Sequence, residues 1–301
     1  MKEKVNDSIA LFIFSFHFLV LFSPPTFSQE VVSDIKVRSI LAGGVVYMLD
    51  CENGFGGGNV AASIGPDGIL LVDDMFKDIT KKLQLTLKKI SDKEIRMVIN
   101  SHFHGDHIEG NTVLSPSAVI VAHENTFKRL TVSPTPAWVT PQVIPHITFS
   151  DKLRLHFNGE EIQVFHLPDG HTDNDVFVYF TKSNVIHMGD TFFHGMFTAV
   201  YKEEGGNLMQ LISNLTKVLS DLPADVAVIP GHGPLATKTD LTNAVRILQE
   251  TTTIVRAGIN AGKSLKQLQE QNVLADYTTL EEGGGQTTDQ YLSMLYKALS
   301  E

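Results

Sequence analysis

The order of elements predicts a layered α/β sandwich: strands and a helix, strands again, then helices, rather than a regular βαβ alternation. Short Val- and Ile-rich runs crowd residues 36–75, and a second β-rich block fills residues 152–188. From residue 208 onward the apolar residues recur mainly at helical spacing.

Val45–Leu49, Val60–Ile64 and Ile69–Val72 read as strands, and Gly65-Pro66-Asp67-Gly68 between the last two is a hairpin signal. Gly54-Phe55-Gly56-Gly57-Gly58 is too glycine-rich for a strand interior and predicts a mobile loop or a tight backbone approach. Asp78–Ile90 predicts an amphipathic helix, with Ile79, Leu83, Leu85, Leu87 and Ile90 set among lysines. Ile95–Ile99 and Val119–Val121 are further strands, and Glu124–Leu130 is a short helix. Residues 131–145, carrying Pro134, Pro136, Pro141 and Pro145, are expected to be loop. The second block divides into Lys152–Phe157, Glu161–Leu167, Val176–Phe180 and Asn184–Met188. Leu208, Leu211, Ile212, Leu215, Val218 and Leu219 form one helical stripe, followed by a last strand at Ala224–Ile229. Thr237 with Asp240, and Ser264 with Gln267, are capping-box signatures that open further helices. A final amphipathic helix holds Tyr291, Leu292, Leu295, Tyr296 and Leu299.

Residues 1–28 stand apart from this pattern. Lys2 and Lys4 precede the apolar run Ile9–Phe22, Ser23-Pro24-Pro25 breaks any helix, and Thr26-Phe27-Ser28 offers small residues. That is the order of a secretory signal, and the run falls short of the roughly 20 residues a bilayer span needs. Cleavage near Ser28 is expected, leaving residues 29–301 as one folded domain of a periplasmic or secreted protein with no stable membrane insertion. A net charge of −10 without a Lys/Arg-rich run argues against a nucleic-acid partner. Cys51 is the only cysteine, so no internal disulfide forms and an inert thiol is expected.

His102, His104 and His107, with Asp106 among them, follow the strand Ile95–Ile99 directly. A core gains little from such a cluster, because each group needs a partner once buried. A polar surface loop is the plain alternative; a metal site is the specific one, since imidazole and carboxylate bind zinc and related divalent ions. Asp169-Gly170-His171-Thr172 lies between two predicted strands. His187-Met188-Gly189-Asp190-Thr191 and Pro230-Gly231-His232-Gly233-Pro234 each follow one. Glycine at such places lets the backbone turn tightly and present a ligand inward.

The run His102-x-His104-x-Asp106-His107, then His171, Asp190 and His232, resembles the metal motif of the metallo-β-lactamase superfamily. The resemblance extends from the Gly58-Asn59 and Leu70-Leu71-Val72-Asp73 region through His232. It implies a four-layer αβ/βα sandwich with metals at one edge of two packed sheets. It also implies that His102, His104 and His171 hold one divalent ion, that Asp106, His107 and His232 hold a second, and that Asp190 bridges both. Zinc heads the candidates; iron or manganese suits an all-N/O set too.

The implied chemistry is hydrolysis of a small-molecule amide, lactone, ester or thioester, β-lactams included, by a metal-bridging hydroxide. Such a hydroxide exists at neutral pH because bound water has a pKa near roughly 7 instead of about 15.7. Asp106 would be the catalytic residue, orienting the water and accepting its proton. One large β-lactamase group has Cys where Asp190 stands, so the aspartate looks more like thioester hydrolases of the glyoxalase II type, or lactonases. Two other classes stay open: a non-catalytic metal or ligand-binding protein on the same fold, and an oxidative non-haem iron enzyme of the superfamily. Asp73 either steadies a ligand histidine or ends its strand in solvent; Asp173 and Asp175 either support the site or serve turns and caps. His194 is placed to reach the pocket, whereas His123, His146, His156 and His166 are expected in ordinary surface or satisfied positions. Gly54–Gly58 resembles the hairpin that covers substrate in several family members, with Phe55 as its apolar tip.

Overall fold

The computed structural model describes residues 34–132 and 135–300; the signal sequence expected at residues 1–28 lies outside the described residues. Seven strands form one sheet in chain order: β1 (Lys36–Gly43), β2 (Val46–Glu52), β3 (Val60–Gly65), β4 (Gly68–Val72), β5 (Ile95–Ile99), β6 (Val119–His123) and β7 (Ile147–Phe149). A second sheet runs β13-β12-β11-β10-β9-β8. Its strands are β8 (Lys152–Phe157), β9 (Glu160–His166), β10 (Val176–Phe180), β11 (Val185–His187), β12 (Ala227–Ile229) and β13 (Ala236–Thr237). The helices are α1 (Lys77–Lys88), α2 (Gly105–Ile108), α3 (Asn111–Leu114), α4 (Glu124–Thr131), α5 (Leu208–Asp221), α6 (Lys238–Asn260), α7 (Leu265–Glu270) and α8 (Thr288–Leu299).

Strand periodicity builds the layers. Leu70 and Val72 of β4 pack between the sheets with Val176, Val178 and Phe180 of β10. Ile69 and Leu71, on the opposite face of β4, pack with Ile79, Leu83 and Leu87 of α1. On the far side Phe177, Ile186 and Val228 meet Leu211 and Leu215 of α5, Leu241 and Leu248 of α6, and Tyr291 and Leu295 of α8. Each side chain so buried contributes about 1.5–3 kcal/mol relative to exposure. Both sheets are therefore covered on both faces, which is the predicted sandwich and explains why Ile69–Val72 reads as a continuous apolar run.

The expected hairpin forms: β3 and β4 pair antiparallel with Gly65 opposite Gly68. Beyond it β4, β5, β6 and β7 run parallel, with α1 as the β4–β5 crossover. Both capping boxes form, at Thr237 for α6 and Ser264 for α7, and a third at Thr287 opens α8. Leu85 departs from its expected stripe. Two residues from Leu83, it points off the buried face and is 61% exposed. β12 begins only at Ala227, because Ala224 and Asp225 form an exposed turn. Among the described residues no helix is long and apolar enough to cross a membrane.

Candidate metal centre

Asp73 follows β4, the His102–His107 segment follows β5, Asp190 follows β11 and His232 follows β12, so all leave strand ends at one edge of the sandwich. His171 joins them from the β9–β10 connection. The histidine segment contains a helical turn: α2 carries Asp106 and His107, with His104 as its N-cap residue. Gly58 and Gly231 let these segments close. A Cβ on Gly58 would lie 2.1 Å from His107 Cε1, and one on Gly231 would lie 2.0 Å from Asp190 Oδ1. The backbone approach foreseen for Gly54–Gly58 is visible here: Gly58 N donates to Asp106 O at 2.9 Å. Asn59 then ties the third segment, its N donating to Gly231 O at 2.8 Å and its Nδ2 to Pro230 O and Gly233 O at 2.9 and 2.8 Å.

The structure brings all seven candidate ligands together, and two groups among them could hold a metal ion: His102, His104, His171 and Asp190, and then Asp106, His107 and His232. Asp190 Oδ2 lies 3.6 Å from His102 Nε2 and 3.5 Å from His171 Nε2. Its Oδ1 lies 3.0 Å from His107 Nε2 and 3.4 Å from His232 Nε2. Asp106 Oδ2 is 3.3 Å from His232 Nε2 and 3.5 Å from His107 Nε2. The free faces of His104 and His171 meet at 3.2 Å, Nδ1 to Nε2.

The outward ring nitrogens are fixed by hydrogen bonds, which decides which nitrogen faces the centre. His107 Nδ1 donates to Asp73 Oδ2 at 2.7 Å. Ser101 donates to the same carboxylate through its amide and its hydroxyl, both at 2.6 Å, and accepts from His102 Nδ1 at 3.0 Å. His171 Nδ1 donates to Ala199 O at 2.9 Å, and His104 Nε2 to Glu204 Oε2 at 2.7 Å. His104 therefore presents Nδ1 and the other histidines Nε2.

Burial pushes His102 well below the usual imidazole range and His171 down to about 4, so both keep bare lone pairs at neutral pH. Burial also acts to discharge His107 and His232. Nearby carboxylates outweigh it, holding His107 well above its ordinary value (Asp190, Asp106 and Asp73) and His232 at about 9 (Asp190 and Asp106). Burial would raise Asp190, but His107, His232 and His102 keep it well below the usual carboxylate range. Cations and protons thus compete for the same atoms. His102 Nε2 and Asp190 Oδ1 are buried without a hydrogen-bond partner, despite the 3.0 Å approach of His107 to the latter. Orphaned ligand atoms in an all-N/O set fit divalent metal ions.

Of the lower expectations, Asp73 turns inward with no exposed surface, as described. Asp175 supports the site through the His171 turn, accepting from His171 N at 2.6 Å and from Thr172 Oγ1 at 2.6 Å. Asp173 instead takes a two-point ion pair from Arg129 of α4 at 2.7 and 2.6 Å. His194 turns away, donating to Pro234 O at 3.0 Å. His123 stacks on His166 at 3.8 Å, while His146 accepts from Ile120 N and His156 is exposed. The sequence reading gave no role to Ser101, which leads the histidine segment, and did not single out Glu204 or Tyr201; Tyr201 packs edge-on against His104 and His171 at 5.0 and 5.1 Å. Only Ser101 carried a signal, as the residue leading into the motif.

A cavity of about 590 Å³ opens over the centre and is lined by Phe55, Asp106, Asp190, Phe193, Tyr201 and His232 among others. Phe55 packs on His232 at 5.5 Å and on Phe76 at 5.7 Å between ring centroids. Cys51 also lines the cavity, but its Sγ faces Met75 Sδ at 3.8 Å and belongs to neither donor group.

A profile of the metallo-beta-lactamase superfamily matches residues 57–232, more than half of the chain. A metallo-beta-lactamase type 2 of Bacteroides fragilis is 24% identical over 46% of this chain and 54% of its own length. A hydroxyacylglutathione hydrolase of Pelagibacter ubique is 25% identical over 48% of this chain and 56% of its own. The match thus spans little more than half of either relative. Among solved structures, a metallo-beta-lactamase from Pontibacter korlensis superposes with a TM-score of 0.61 at 18% identity, over 71% of this chain and 99% of that one. Profile, strand order and ligand geometry agree: the chain belongs to the metallo-beta-lactamase superfamily.

Proposed function

We propose that the chain is an exported dinuclear metallohydrolase cleaving a small amide, lactone, ester or thioester. One observation carries this reading: the two oxygens of Asp190 face different donor groups, Oδ2 toward His102 and His171, Oδ1 toward His107 and His232. His102, His104 and His171 would hold one ion, Asp106, His107 and His232 the other, and Asp190 both. Zinc leads, with iron and manganese compatible with the same donors.

Bound there, two ions supply a Lewis acid for a carbonyl and a water acidic enough to attack it near neutral pH. The chain's own residues position and deprotonate. Burial would raise Asp106, but His107 and His232 outweigh it and keep the carboxylate ionised, so it can take the proton of the attacking water. Asp73 and Glu204 hold the tautomers of His107 and His104. Hydrolytic relatives that act on different substrates support the reaction class, and the aspartate at position 190 favours thioesters or lactones over β-lactams. Export rests on the pattern of residues 1–28; a secreted chain whose mass does not start near Gln29 would count against it.

The test is turnover of nitrocefin, N-acyl homoserine lactones and S-lactoylglutathione by metal-loaded protein. Asp106→Asn is expected to lose about 10²–10⁴-fold in kcat on whichever substrate is cleaved. Two bound ions with no turnover of any of these compounds would favour a binding protein instead.

A further inference from the structure

Above the metal ligands, the cavity wall has a distinctive charge arrangement. Apart from the ligand histidines, its one basic side chain among the described lining residues is Arg38. Asp50, in the neighbouring strand, takes both edges of that guanidinium, Nε to Oδ1 at 2.6 Å and the terminal nitrogen to Oδ2 at 2.7 Å. Glu52 takes the remaining nitrogen at 3.2 Å. Arg38 and Asp50 lie opposite each other in the β1–β2 register, so the sheet itself enforces the pairing. The apolar side chains of the lining are led by Phe55, 47% exposed, Phe193 and Met196; Tyr201 and Gln286 are uncharged polar neighbours in the same wall. Gly285 leaves the wall beside Met196 open, since a Cβ there would only touch the Met196 side chain at 3.5–3.8 Å.

We propose that the substrate arm remote from the scissile bond is uncharged and apolar, lying along Phe55, Phe193 and Met196, so that acyl compounds with an anionic arm are rejected. This rests on the hydrolase reading for its substrate, but not for its geometry. Along this wall an anionic arm would leave water to meet an Arg38 already paired with Asp50 and Glu52, and would face the Asp50 carboxylate. A neutral arm replaces water on apolar surface instead. A cavity of about 590 Å³ is of ligand-binding size.

Two probe pairs separate this inference from the hydrolase reading. The first is p-nitrophenyl hexanoate against mono-p-nitrophenyl adipate, which share the reacting ester and differ in arm charge. A kcat/KM about tenfold or more higher for the hexanoate is expected. Equal rates, or a faster adipate, would overturn the inference and leave the hydrolase standing. The second pair needs no turnover: metal-loaded protein is titrated with neutral N-phenyl-1-naphthylamine and its anionic relative 1-anilinonaphthalene-8-sulfonate. The neutral dye should bind about tenfold or more tighter, and Gly285→Leu should abolish its binding. D50N/E52Q, which strips both carboxylates from Arg38, should raise the affinity of the sulfonate. Tighter sulfonate binding to the unaltered protein, or no binding of the neutral dye, overturns the proposal even if neither ester is cleaved.

Discussion

Asp73 has no solvent exposure and accepts three hydrogen bonds, from the Ser101 amide, the Ser101 hydroxyl and His107 Nδ1. It thereby holds one candidate ligand directly and His102 through Ser101. Asp73→Ala should cost about 1–3 kcal/mol of stability, since it leaves a buried amide and imidazole N–H unpaired. It should also weaken metal binding about 10–100-fold, which competition with a zinc indicator dye would measure. Unchanged affinity would show that the bond to Asp73 does not set the orientation of His107. From sequence Asp73 was open between a supporting role and a solvated strand end, because only the fold shows what β4 ends against. Glu204 was not legible at all: it reaches His104 from 100 residues away, on a short helical turn with no motif of its own. Cys51 gives a pH-dependent test. Burial, assisted by Asp50, raises its thiol to about 11, so the thiolate is scarce at pH 8 and grows as pH approaches that value. Alkylation by iodoacetamide should therefore be slow at pH 8 and rise about tenfold per pH unit toward pH 10. A rate at pH 8 matching that of the unfolded chain would contradict this.

At the scale of elements, hairpins at the end of the sandwich away from the metal centre lock the two sheets. Asn158, in the β8–β9 turn with φ of 52°, donates through Nδ2 to Ser63 O, Ser63 Oγ and Gly68 O. Its backbone N also donates to Asp67 Oδ2 at 2.7 Å, and Asp67 N returns a bond to Asn158 Oδ1 at 3.0 Å. Asn158→Ala loses these side-chain bonds and strains a left-handed backbone position, so a loss of roughly 1–3 kcal/mol is expected in denaturant unfolding. Metal content should not change, because the turn lies at the opposite end of β4 from Asp73. A fall in bound metal at unchanged stability would reverse that assignment. Turn and cap signals were readable because they are local: Gly65–Gly68, Thr237 and Ser264 each act within four residues. β7 and β13 were not, because strands of 3 and 2 residues carry too short a pattern to stand out from loop.

Across the molecule, the sandwich follows from strands buried on both faces in two separate blocks, a pattern visible in Ile69–Val72 and Val176–Phe180 before any contact is known. The ligand set was legible for a related reason. The ligands come in short segments that follow a strand or carry a glycine marking where the chain must turn. What covers the centre was less so. The cavity draws Arg38 from β1, Phe55 from a glycine-rich loop and Gly285 from just ahead of α8, and no local spacing links those positions. The claim on which everything else depends is that Asp190 joins two ligand groups into a single two-metal centre. Metal content per chain, measured on protein saturated with zinc and freed of excess, tests it most directly. Two ions per chain are expected, with loss of both tight binding and hydrolysis in Asp190→Ala. A single ion in the unaltered protein, or an Asp190→Ala variant that still holds two, would contradict it.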